Sequence, residues 1–256
     1  MTSWRSRLGV LAVIVTSVLV APAAGQRRGG PFTPPSPKAA APIDLTGYWV
    51  SLVTEDWRYR MTMPPKGDFG GVPLSPAGRT AASSWDPSHA NDPAERCKPF
   101  GAGGVMRVPG RLHITWDGDD TLKIETDAGA QTRLLSFGAP RGESGTWQGV
   151  SAASWDRSDT VMGRGNFLPG ATAQGGSLKV VTTSMKPGYV RRNGVPYGAQ
   201  AVLTEYFDRF DVPNGESLLV VSSELADPQY YFQPYWTSTH FKKQRDASGW
   251  NPKACE

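Results

Sequence analysis

Apolar and polar residues alternate with a period of two over short stretches of this chain, and the stretches are separated by Gly, Pro, Asn and Asp. That pattern marks strands with one face turned to a core. Ten strands are predicted: Trp49 to Val53, Trp57 to Met61, Leu112 to Trp116, Leu122 to Thr126, Thr132 to Phe137, Gly149 to Trp155, Leu178 to Met185, Ala201 to Phe210, Ser217 to Leu225 and Phe232 to Lys242. One helix is predicted, where Ser75 can cap, Pro76 suits the first helical position and PAGRTAASSW follows before Asp86-Pro87. Asn193-Gly194 and Asn214-Gly215 are the strongest hairpin marks, because that dipeptide tolerates positive φ. The expected class is mainly β, a single antiparallel barrel or a sandwich with one short helix.

A one-residue slip would exchange the faces of a strand, so the apolar pattern predicts register. In LHITWDGDDTLKIETDAGAQTRLL, setting Trp116 opposite Leu122, and Ile114 and Leu134 opposite Ile124, stacks the apolar residues. The other face then carries His113, Glu125 and Arg133 in a row. Such a row reads either as an outward charge ladder or as a catalytic site in which Glu125 orients His113 as a base and Arg133 holds an anion. The outward ladder is the commoner arrangement; the Leu135 and Phe137 side chains share the Arg133 face, which lends weight to the second reading. The same exercise on LTEYFDRFDVPNGESLLVVSSEL sets Phe210 opposite Leu219 and Glu205 opposite Glu224, a carboxylate pair that must be solvated, neutralised or share a proton.

The first 25 residues read as an address. Arg5 and Arg7 precede an apolar run from Leu8 to Val20, too short to span a bilayer, and APAAG offers a cleavage site before Gln26. Removing them takes the net charge from +4 to +2, with 25 basic against 23 acidic residues. The basic residues are scattered apart from pairs such as Arg191-Arg192, so neither nucleic acid nor stable membrane insertion is expected. Gln26 to Pro42 is Pro-, Gly- and Ala-rich and reads as a disordered tether, followed from residue 45 to 256 by a single barrel domain. The expected location is periplasmic or secreted. In an oxidising compartment Cys97 and Cys255, which belong to no CxxC or Cys/His cluster, are predicted to form a disulfide tying the C-terminus to the body.

Composition narrows the chemistry. With 29 Gly and 22 Pro, about a fifth of the 256 residues interrupt helices, so a long-helix bundle is excluded. The three His are isolated and WDGDDT lacks the Glu that ends a calcium loop, so no metal is expected. Gly101, Gly103 and Gly104 are not followed by GK[ST], and no GxSxG or HExxH occurs; no cofactor is expected. The segment WVSLVTEDWRYRM gathers aromatics and charges, as the mouth of a small-molecule site would. Candidate ligand-binding residues are Trp49, Trp57, Tyr59, Arg60, Trp236 and His240, the last alternating with Ser238 and Lys242.

The motifs EDWRYRM with PPKGDF, CKPFGAGGVMRVPG, ITWDGDDTLKIETDAGAQTR, KPGYVRRNGVPYG, TEYFDR and DPQYYFQP resemble an uncharacterised family of exported bacterial proteins, over about Leu45 to Lys243. The resemblance implies a lipocalin-like β-barrel and transfers no activity to any residue. Two functions are therefore expected: a barrel that binds a small apolar or aromatic molecule, or a cofactor-independent acid/base enzyme (hydratase, lyase, isomerase or hydrolase) with its site inside the barrel.

Overall fold

A computed structural model describes residues 34–156, 172–173 and 175–255, in which Pro35–Glu256 belongs to one compact unit. The expected address segment, residues 1–25, and residues 26–33 of the expected tether lie outside the described residues. From Pro35 onward the expected tether is instead part of the body. Lys38 N–H donates to Asp119 O at 3.0 Å, Trp155 Nε1 donates to Pro37 O at 2.8 Å, and Ile43 is buried. The segment is held through its backbone groups, which composition does not register.

The elements in chain order are β1 (Gly47–Leu52), α1 (Trp57–Arg60), α2 (Pro76–Ser84), α3 (Ala102–Val105), β2 (Arg111–Trp116), β3 (Thr121–Thr126), β4 (Ala128–Gly129), β5 (Thr132–Ser136), β6 (Val150–Asp156), β7 (Thr172–Ala173), β8 (Ser177–Thr183), β9 (Gly188–Arg191), β10 (Val195–Tyr197), β11 (Val202–Asp211), β12 (Ser217–Ala226), β13 (Tyr235–Lys243) and β14 (Lys253–Ala254). Nine strands close a ring in the order β12, β13, β1, β2, β3, β5, β6, β8, β11, with β11 pairing back to β12. The architecture is thus a closed barrel and not a sandwich. A ring with an odd number of strands cannot alternate direction all the way round. The necessary parallel pair is β5 with β6, through Leu135↔Ser151 and Ser136↔Ala152, and residues 137–149 supply the long crossover such a pair needs.

Nine of the ten expected strands are ring strands. The exception is Trp57 to Met61, which begins with α1. Asp56 takes φ 49°, turning the chain off the end of β1, and the carbonyls of Asp56 and Trp57 accept the next backbone N–H groups in helical fashion. Among the described residues, three short α-helices replace the single one expected. The expected one, α2, is capped as its sequence indicated: Ser75 Oγ accepts from Gly78 N at 3.1 Å, with Pro76 at the first position.

Inward-facing residues fill the ring. Trp49, Ile114, Ile124, Leu135, Phe207 and Phe241 pack in one cluster. A second, built on α2, the β9–β10 hairpin and residues 69–74, closes the end marked by Leu203, Leu225 and Tyr235. Tyr197 is fully buried there. A Cβ at Gly103 would stand 2.8 Å from the Tyr197 ring, which is why α3 is glycine-rich. Cys97 and Cys255 form a disulfide with Cα atoms 5.1 Å apart, and β14 pairs in parallel with β4 in the β3–β5 turn.

Candidate functional site

Two registers differ by one residue from expectation, and the difference relocates the candidate chemistry. Ile124 faces Arg133, not Leu134, because Thr126 pairs with Gln131 across a turn in which Gly129 and Ala130 both take positive φ. Likewise Phe210 faces Leu218 and Glu205 faces Ser223. The loop there is Pro213-Asn214-Gly215, with Gly215 N–H donating to Val212 O at 2.9 Å and Gly215 at φ 80°. This is a three-residue turn with a left-handed glycine, one residue longer than the expected Asn-Gly turn.

The expected row of His113, Glu125 and Arg133 therefore does not assemble. His113 and Glu125 do pair, at 3.1 Å, on the outer face, where Lys123 also reaches Glu125 and the His113 ring stacks on Tyr48 with centroids 4.1 Å apart. Arg133 points the other way, into the barrel. Its guanidinium meets Glu205 with Nη2 2.5 Å and Nη1 3.1 Å from the carboxylate oxygens, and it also reaches Thr182. Glu205 is thus neutralised by Arg133 and is not paired with Glu224.

The six expected ligand-binding residues separate into three places. Trp49 is sealed in the barrel core, its indole N–H donating to Leu45 O at 2.9 Å, and is closed to a ligand. Trp57, Tyr59 and Arg60 lie on α1. Trp57 is 65% exposed, whereas Arg60 is buried, with its Nε on Arg107 O and its Nη1 on Glu55. Trp236 and His240 point outward from β13, on the opposite face from buried Tyr235, Thr239 and Phe241.

Trp236 borders a groove of about 380 Å³ with Val72, Pro73, Phe232, Pro234 and Tyr235. Phe232 is 70% and Trp236 58% exposed. Two large aromatics left open beside one groove are the kind of apolar patch that marks a binding surface, and the volume falls within the few-hundred Å³ range of small-molecule sites. The hydroxyl of buried Tyr235 accepts a hydrogen bond from Arg191 at 3.1 Å.

Next along the outer face of β13, three side chains form a chain. Ser238 Oγ is 3.3 Å from His240 Nε2, and His240 Nδ1 is 3.1 Å from Glu55 Oε2. Thr54 Oγ1 lies 2.6 Å from the same Nδ1 and donates to Glu55 at 2.7 Å. Burial on its own would raise the Glu55 pKa, but hydrogen bonds from His240 and Thr54 and the charge of Arg60 outweigh it, leaving the carboxyl below its ordinary range. A hydroxyl, an imidazole and an oriented carboxylate in sequence are the parts of an activated nucleophile.

Comparison with protein-family models, curated proteins and solved structures finds no match. Among the described residues, no helix is long and apolar enough to cross a membrane, and no group of three His, Cys, Asp or Glu is placed to hold a metal. Phe232, Ser238 and Glu55 were not among the expected site residues. The alternation of Ser238 with His240 was legible; the arrival of Glu55 beside them depends on β1 pairing with β13.

Proposed function

We propose that this protein is an exported binding protein that takes a small apolar or aromatic molecule into the groove beside Phe232 and Trp236, at the barrel's outer edge. The observation that carries this reading is the pair of exposed aromatics on a groove of about 380 Å³. The barrel interior is an unsuitable host, because the Trp49 cluster and the Arg133–Glu205 pair occupy it. Export rests on the Arg5-to-Gly25 segment, and the disulfide suits an oxidising compartment. The resemblance to an exported bacterial family belongs to the same proposal. Titration of Trp fluorescence with a panel of aromatic and aliphatic ligands tests it: a saturable change that is lost in Trp236→Ala is expected. A flat response across the panel, or one unaltered in Trp236→Ala, rejects the groove.

A second reading is a hydrolase of small esters, favoured by the Ser238–His240–Glu55 chain. His240 Nε2 would take the Ser238 proton as Oγ attacks the acyl carbon, then pass that proton to the departing alkoxide; water would release the acyl group by the same relay. Trp236, two residues before Ser238 on the same face, would seat an apolar acyl or aryl group. Labelling with an aryl fluorophosphonate decides: one adduct at Ser238, absent from Ser238→Ala, supports it. Unlabelled protein under conditions that label a control esterase removes it.

A further inference from the structure

A cleft separate from the aromatic groove lies between α1, α3 and β9. Arg60, Arg107, Arg191 and Arg192 all line it, together with Tyr59 and Val190. Four cations around one cleft call for an account of their counter-charges. Arg60 pairs with Glu55, and Arg107 Nη2 donates to Asp56 Oδ2 at 2.7 Å. The other two have neutral partners. Arg191 lies over the Tyr59 ring, 4.0 Å from its centroid, and donates to Gly70 O and Tyr235; Arg192 donates to Arg60 O at 3.2 Å. Among the described residues no carboxylate pairs with Arg191 or Arg192, so the cleft holds two more positive charges than negative ones.

The hydrogen-bond inventory gives the same answer independently. Arg60 is 2% and Arg107 7% exposed, and each keeps one buried nitrogen without a partner: Nη2 of Arg60 and Nη1 of Arg107. Burial lowers the pKa of Arg60, and the neighbouring Arg107 works in the same direction, yet a guanidinium still does not lose its proton in a protein. A buried charged donor left unmatched is costly. A water in the cleft would bring an acceptor but no charge, whereas an anion would bring both. The space available, about 20 Å³, is that of one water-sized atom.

We infer that this cleft is an anion-binding site, in which a single atom of negative charge is held between Arg60 Nη2 and Arg107 Nη1. The occupant is a halide, or one oxygen of a carboxylate or phosphate whose remainder points out past Tyr59 and Val190. Arg191, whose Nε is also buried without a partner, and Arg192 add further positive charge. The site stands whether or not the groove beside Trp236 binds a ligand.

Calorimetric titration and thermal melts of the full chain with sodium chloride, acetate and phosphate test it, with ionic strength balanced by a bulky sulfonate. At least one of the three should stabilise the protein saturably; chloride alone identifies a free halide site, whereas acetate or phosphate identifies the headgroup of a larger ligand. Arg60→Lys and Arg107→Lys should each weaken binding about tenfold or more, as loss of a charged hydrogen bond does, while exposed Arg141→Lys should leave it unchanged. No saturable response of the unmodified chain to any of the three overturns the inference and leaves a water in the cleft. So does a response that persists unaltered in both lysine variants. If one lysine variant does not fold, the other and the unmodified chain still decide.

Discussion

Arg133 on β5 and Glu205 on β11 face each other inside the barrel, bridged by two hydrogen bonds, with neither side chain more than 1% exposed. Charges removed from water this completely are tolerable only as a pair. Their partners extend outward through Thr182, which bonds Ser151 at 2.8 Å, so β5, β6, β8 and β11 share one polar network in an otherwise apolar interior.

Removing one member should therefore cost more than removing both. Glu205→Ala is expected to lower unfolding free energy by about 3–5 kcal/mol, whereas the double change Arg133→Met with Glu205→Leu should be markedly milder. Denaturant melts measure both; a single variant as stable as the double would contradict the pairing.

Gly103→Ala should destabilise without altering secondary structure. The added methyl meets the Tyr197 ring at 2.8 Å, and fully buried Tyr197 has little room to withdraw. Overpacking of this kind costs about 1–3 kcal/mol, readable as a lower thermal midpoint with an unchanged far-ultraviolet spectrum.

Reduction of Cys97–Cys255 should release the C-terminal tail. The bond spans 158 positions, and in the chain-entropy model so long a loop contributes about 5 kcal/mol. Added reductant should lower the midpoint, and hydrogen exchange should quicken around β4 and β14, which pair beside the bond. Exchange there that ignores reductant would show the tail is held by other contacts.

Acid should act through Glu55. Its folded pKa lies below the ordinary value of 4.5 because His240, Thr54 and Arg60 outweigh the effect of burial. The unfolded chain binds the proton first as pH falls, so the stability Glu55 contributes is complete above about 4.5 and is lost as pH drops through the lower folded value. Glu55→Gln should flatten that part of the stability-versus-pH curve; an unchanged slope would assign acid sensitivity to other carboxylates.

The ring strands were legible because each carries its own two-residue alternation, which needs no information from elsewhere in the chain. Register was not, because it is fixed in the turns. At Pro213-Asn214-Gly215 the proline belonged to the loop, and in the β3–β5 turn Ala130 takes a positive φ beside the paired C-terminal tail. The shift in the β11–β12 turn separated Glu205 from Glu224, and the one in the β3–β5 turn sent Arg133 inward and away from His113. Its company was visible beforehand, since Leu135 shares its face and is fully buried. α1 departs from the strand pattern for a different reason. In WRYR the charged residue Arg60 is buried and the aromatic Trp57 exposed, an inversion that comes from Glu55 and the Arg107 carbonyl waiting for a guanidinium. The chemistry beside Trp236 follows from strands distant in sequence, which no local pattern contains.

Ring closure joins Trp49 to Lys243 and Leu52 to His240, so β1 waits for a ring strand that lies nearly two hundred residues further along the chain. Until then β1 presents an unsatisfied edge, and the barrel cannot be completed by a nascent chain still lacking β13. Pairing this distant is slow to form because the loop entropy comes before the contacts that offset it. Chains cut short before Tyr235 would keep two open edges of the kind that aggregate. The closing seam of the barrel is in this sense its longest-range contact, and the ring is complete only once β13 has been added to the strands before it.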